Sequence, residues 1–194
     1  MTWPKGHHKN LLNVIVVDPD LKNSAVIVAK PGTILAVGVA TNWTKDVEGS
    51  HRKATLHRLA EQCHSVCALV QRAILEYGGF RLGVSEMPLD YGTKRFARPQ
   101  DIVHLAAVSG AALGAMARLG LAVAPADYKG QRPKAVCEKD AIEYFGWARP
   151  GRRFRIPTEV ECLTEVPENA LEDVRDAMVI AKWALLHGRR RVGT

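Results

Sequence analysis

Residues 14 to 17 read Val-Ile-Val-Val, four apolar β-branched residues in a row, and Asp18 follows at once. Alternating apolar and polar residues mark a strand with one wet face. An unbroken β-branched run instead predicts a strand covered on both faces. A sheet containing such a strand needs further layers above and below it, so this short run confines the chain to layered folds.

The order of the remaining elements selects among them. Ala25 to Ala29 and Thr33 to Val39 read as two more strands, joined by Lys30-Pro31-Gly32, where proline presets φ and glycine permits the reversal. From Lys53 to Tyr77, the residues Leu56, Leu59, Cys63, Val66, Val70, Ile74 and Tyr77 recur at steps of three and four, the period of an amphipathic helix that Gly78-Gly79 terminates. Leu82 to Ser85 reads as a fourth strand that delivers Glu86 at its end, before Pro88.

Gln100 to Leu119 is apolar on almost every side, as expected of a buried or interface helix, and Gly110 and Gly114 are expected to allow close backbone approach. A fifth short strand, Leu121 to Ala124, leads through a Lys/Gly/Pro-rich turn into a helix from about Lys134 to Phe145. An Arg-rich loop, 149–155, precedes a last helix from near Glu168 to Leu186. Three strands in a meander followed by alternating elements predict an α/β fold: a mixed five-stranded sheet flanked by helices. The length of 194 residues fits one domain over 1–194, with 1–12 and 188–194 expected to be flexible.

Composition narrows the function less. The 27 Lys+Arg against 20 Asp+Glu give a net charge of +7, compatible with a polyanionic partner or with a surface that is merely soluble. Cys63, Cys67, Cys137 and Cys162 show no paired C-x-x-C spacing, so neither a disulfide scaffold nor a zinc site is expected; Cys63 and Cys67 are expected as buried free thiols on the helical stripe. There is no signal-peptide pattern and no membrane-length apolar run, and the expectation is a soluble, cytoplasmic protein without a membrane partner.

Carboxylates at particular places carry the chemistry. Asp18 ends the first strand, Glu86 ends the fourth, and Asp173 and Asp176 stand three apart on the last helix, hence on nearly one face. Parallel neighbouring strands one and four would release both acids at the same end of the sheet, where α/β sites form. Hard divalent cations take such oxygens. Phosphodiester hydrolysis commonly uses two of them, roughly 3.5–4 Å apart. A solvated helix face and ordinary turn residues are the alternative reading of these acids.

Three pieces of the sequence resemble the RuvC-type Holliday junction resolvases, of the RNase H-like nuclease superfamily. Val16-Val17-Asp18-Pro19 is similar to the family's opening strand, Val84-Ser85-Glu86 to its strand ending in glutamate, and Asp173-Val174-Arg175-Asp176-Ala177 to its C-terminal acidic helix. The likeness spans roughly residues 13 to 187. It implies an RNase H-like fold and a homodimer that nicks four-way DNA junctions symmetrically with two Mg²⁺ or Mn²⁺ ions per site. Asp18, Glu86, Asp173 and Asp176 would be catalytic metal ligands, and Lys129 and Lys134 would contact phosphate.

The chain departs from the family pattern at Asp20, where glycine is usual, and at Met87-Pro88-Leu89, where the family often carries a phenylalanine wedge. Tyr91 or Phe96 would substitute for that wedge, within a basic loop whose Lys94, Arg95 and Arg98 suit phosphate contact and base stacking. The same carboxylates would serve cleavage of RNA–DNA hybrid or transposon DNA, and a DNA-binding module that has lost its chemistry is the alternative from outside the enzymes.

Overall fold

Val14, Ile15, Val16 and Val17 are buried in the interior of a mixed sheet, as their unbroken run required. The protein is seen in a computed structural model that describes residues 13–42, 51–87, 99–147 and 154–188. Strand β1 (Asn13–Asp18) pairs antiparallel with β2 (Asn23–Lys30), and β2 antiparallel with β3 (Thr33–Thr41). Helix α1 (His51–Tyr77) crosses to β4 (Phe80–Glu86), which lies parallel to β1. Helix α2 (Pro99–Met116) and a 3₁₀ turn lead to β5 (Gly120–Val123), parallel to β4. There follow α3 (Pro125–Tyr128), α4 (Lys134–Tyr144), β6 (Glu161–Cys162), a second 3₁₀ turn and α5 (Leu171–His187).

The sheet therefore has six strands in the order β5-β4-β1-β2-β3-β6, not five. The added strand is two exposed residues paired parallel to Ala36 and Val37 of β3, and too short to carry any period. What holds it lies partly outside it. Leu163 N–H donates to the Val37 carbonyl at 2.8 Å, and the Thr164 hydroxyl accepts from the Val39 N–H at 2.7 Å. Pro125–Tyr128, expected as part of a turn, forms one helical turn of its own, and the final helix begins at Leu171 after a 3₁₀ turn at Glu168–Ala170.

Strand side chains alternate between two cores. Val14, Val16, Ala25, Ile27, Val37, Val39, Leu82 and Val84 pack with α4 and α5. Ile15, Val17, Val26, Val28 and Ala36 pack on the other face with α1 and α2. Each fully buried Ile or Val contributes roughly 1.5–3 kcal/mol relative to exposure, so the two-sided sheet accounts for much of the fold's stability.

Close approach comes from glycines other than those expected. A Cβ on Gly83 of β4 would lie 2.5 Å from the Met116 sulfur, so α2 sits hard against the strand there, whereas Gly110 and Gly114 face open space. The α2 flank bearing them is outward, with Val103 65% exposed. Cys63 and Cys67 are free but only half-buried, because they lie at the margin of the α1 stripe that Val66, Leu69, Val70 and Ala73 fill. Of the expected flexible segments only Gly188 is among the described residues, and it is buried. Among the described residues no helix is long and apolar enough to cross a membrane.

Candidate active site

The two-residue period places the first two acids. In β1 the residues Val14 and Val16 face α5, and in β4 so do Leu82 and Val84, which puts Asp18 and Glu86 on that same side. Their strands are parallel neighbours, with Val17 opposite Ser85, so the carboxylates leave the sheet side by side at its C-terminal end. Helix α5 packs over this face through Val174, Ala177, Met178 and Ala181. Its first turns carry Asp173 and Asp176 to the strand ends, and the four acids expected from the sequence converge.

Each of three acids holds its proton more tightly than usual. Burial, followed by repulsion from Glu86, Asp176 and Asp173, raises Asp18 well above the ordinary carboxylate range, with Lys129 opposing. Glu86 is raised by burial, against the lowering effects of the Tyr128 hydroxyl and Lys129. Burial, then the charges of Asp20, Asp176 and Glu172, push Asp173 up to about 6. These mutual effects place all four carboxylates in one field.

Two lysines answer them. Lys134, at the first position of α4, sets its Nζ 2.6 Å from Asp176 Oδ2 and 2.8 Å from Glu172 Oε1. Burial lowers its pKa, but hydrogen bonds to Asp176 and Glu172 more than offset that and leave it raised. Lys129 Nζ is 3.9 Å from Asp176 Oδ1 and stands 5.2 Å from the centre of the Tyr128 ring. The lysines expected to contact phosphate thus lie beside the acids, Lys129 in a turn and half-buried, Lys134 exposed.

Tyr128, which the sequence reading did not single out, donates its hydroxyl to Glu86 Oε2. A one-turn helix is too short to show a period, and the available signal was an aromatic directly before Lys129-Gly130. Asp20 proves to be a turn residue: its Oδ1 accepts from the N–H groups of Lys22 at 2.7 Å and Asn23 at 3.3 Å. The buried Gln62 amide supports that turn by donating to the Asp20 carbonyl and to Ser24 Oγ. Asp20 thereby closes the turn through its side chain, and adds charge near Asp173. Tyr91, Lys94, Arg95, Phe96 and Arg98 lie outside the described residues, as does 149–153 of the Arg-rich segment.

The donor set suits a hard divalent cation: oxygen ligands only, strongly acidic, with repulsion that a cation would relieve. Asp176 Oδ1 is buried without a hydrogen-bond partner, an acceptor with capacity to spare. As the side chains stand, no three Asp, Glu, His or Cys residues among those described enclose an ion, and the Lys134 ammonium occupies the other Asp176 oxygen. The chemistry fits, and an ion that took both Asp176 oxygens would compete with Lys134 for Oδ2.

Neither a protein-family model nor a curated protein matches the sequence. Solved structures do resemble it. "T. thermophilus RuvC in complex with Holliday junction substrate" superposes with a TM-score of 0.55 at 14% identity, covering 94% of this chain and 97% of that one. "Thermus thermophilus RuvC structure" gives a TM-score of 0.52 at 18% identity with the same coverage. The fold is RuvC-like, of the RNase H-like kind.

Proposed function

We propose that the chain is a metal-dependent endonuclease that resolves four-way DNA junctions in the cytoplasm, acting as a single nuclease domain within a homodimer. The observation that carries this reading is the convergence of Asp18, Glu86, Asp173 and Asp176 at one end of the sheet with Lys129 and Lys134 beside them. The RuvC likeness supports it at the level of fold, and one of those neighbours is a complex with a Holliday junction.

The four carboxylates would hold two Mg²⁺ or Mn²⁺ ions. When bound, such ions lower the pKa of water and stabilise the leaving oxygen of a phosphodiester. The chain's own contribution is positional. Two strand ends and one helix, packed in one core, bring the acids to one place before substrate arrives, and displacing the Lys134 ammonium is left to ion binding. Lys134, released from Asp176, and Lys129 would grip the phosphates flanking the cut. Paired symmetric nicks follow from two sites related by a two-fold axis, matching the symmetry of the junction.

The test is cleavage of a labelled four-way junction beside matched duplex and RNA–DNA hybrid, with Mg²⁺, Mn²⁺ or EDTA. Paired nicks in the junction that EDTA abolishes are expected. Preferential cleavage of the hybrid would replace the substrate class, and binding without cleavage would overturn the enzyme reading.

A further inference from the structure

We propose that Tyr128 is a positioning residue that aims the Glu86 carboxylate into the acidic centre, an inference that rests on the nuclease reading of that centre. Glu86 is the last residue of β4, and its carboxylate hangs on three rotatable bonds. Left alone at a strand end, that side chain would spread over several rotamers, and ordering it on ion binding costs free energy each time. The Tyr128 hydroxyl removes the freedom in advance by donating to Oε2.

Both partners of this hydrogen bond are fixed to the same strand pair. Glu86 lies opposite Val123 in the β4–β5 ladder, and the Met87 N–H extends the ladder by donating to the Val123 carbonyl at 2.8 Å. Immediately after Val123, Ala124 precedes α3, and its N–H donates to Asp127 Oδ2 at 2.9 Å. Pro125 opens the helix with a preset φ, and Lys129 N–H closes it on the Pro125 carbonyl at 2.9 Å. This one turn brings Tyr128 back over the end of β4, with the residue only 4% exposed. A chain segment of six residues, from Val123 to Tyr128, thus ties the hydroxyl to the carboxylate it orients.

The choice of a phenol matters. A neutral donor orders a carboxylate without cancelling its charge, whereas the lysine on Asp176 offsets its partner's charge and competes with an ion there. The ring also seats Lys129 on its face, so the residue that orders one acid helps place a cation 3.9 Å from another, Asp176. Outer partners that orient metal ligands in this way typically change metal affinity by 10–100-fold when removed.

The experiment compares Mn²⁺ binding, read as loss of the free-ion electron paramagnetic resonance signal, in the wild-type chain and in Tyr128→Phe, Tyr144→Phe and Glu86→Gln. Thermal melting without metal is measured on all four. Tyr128→Phe keeps the buried ring and removes one oxygen. It is expected to bind Mn²⁺ roughly tenfold more weakly, to melt within a few degrees of wild type, and to recover junction cleavage at higher Mn²⁺. Tyr144→Phe, a hydroxyl removed elsewhere on the neighbouring helix, is expected to bind normally. Wild-type affinity in Tyr128→Phe while Glu86→Gln loses binding would overturn the positioning role and leave the nuclease reading intact. Weakened binding that Tyr144→Phe shares, or that comes with a collapse in melting temperature, would make the effect structural and overturn it too. Absence of Mn²⁺ binding by the wild-type chain would instead sink the nuclease reading, and the positioning role with it.

Discussion

The Lys134 ammonium lies 2.6 Å from Asp176 Oδ2, joining the start of α4 to the second turn of α5 across the mouth of the acidic centre. The same ammonium contacts Glu172 at 2.8 Å and Glu138 at 3.8 Å, so one cation is shared by three carboxylates. It acts as an internal counter-ion, and a divalent ion at Asp176 would compete with it.

Lys134→Ala therefore leaves Asp176 without its nearest positive charge. Breaking a buried pair costs several kcal/mol, but this lysine is 42% exposed and its half of the pair is screened, so a loss of about 1–2 kcal/mol is expected in metal-free protein. Mg²⁺ is expected to stabilise the variant more than the wild type, since it no longer has to displace an ammonium. Melting curves with and without Mg²⁺ check this; equal metal-induced shifts would refute the competition.

Asp18→Asn should abolish junction cleavage and leave junction binding nearly intact, because the fold does not need that charge. It should also raise the metal-free melting temperature at neutral pH. Burial and three neighbouring carboxylates make ionised Asp18 unfavourable in the folded state, and an amide of the same shape removes that cost. A variant that cleaves like wild type, or that melts lower, would contradict the assignment.

Asp173 gives a pH signature. Its pKa rises from an ordinary 3.8 to about 6 in the folded protein, so folding favours the protonated form. The stability this contributes is fully present below 3.8 and is lost as pH climbs through about 6. Metal-free Asp173→Asn should therefore gain on wild type in melting temperature from pH 4 to pH 7. A difference that stays flat over that window would show that Asp173 is not under the pressure of its neighbours.

The dimer proposal has a direct readout in light scattering, where a mass near twice 21.3 kDa is expected. Helix α2 offers a face for it: Val103 is 65% exposed, and Gly110 and Gly114 look onto open space. Val103→Lys should shift the population toward monomer with little change in melting of the isolated chain. A wild-type mass near 21.3 kDa at micromolar concentration would remove the two-site geometry from the proposed function.

Strand β1, the meander, the long α1 and the acid-bearing ends of β1 and β4 were legible in the sequence, because hydrophobic period and turn residues act locally and their signal lies in adjacent positions. The acid pair on α5 was legible for the same reason, as a helix fixes which residues three apart share a face. What the linear pattern left undecided were contacts between distant residues. The two-residue β6 forms where Ala36 and Val37 offer an open edge, held also by Leu163 and Thr164, and Cys63 and Cys67 are half-buried at the margin of the α1 stripe. Close packing of α2 fell to Gly83, on the strand it covers, and not to the helix's own glycines. Tyr128 became a partner of Glu86, 42 residues away, only once β4 and β5 had paired and α3 had turned back over them. Local chemistry determined which elements form and which acids they carry. Tertiary packing alone decided what faces those acids, since burial and neighbouring charge are properties of the assembled site.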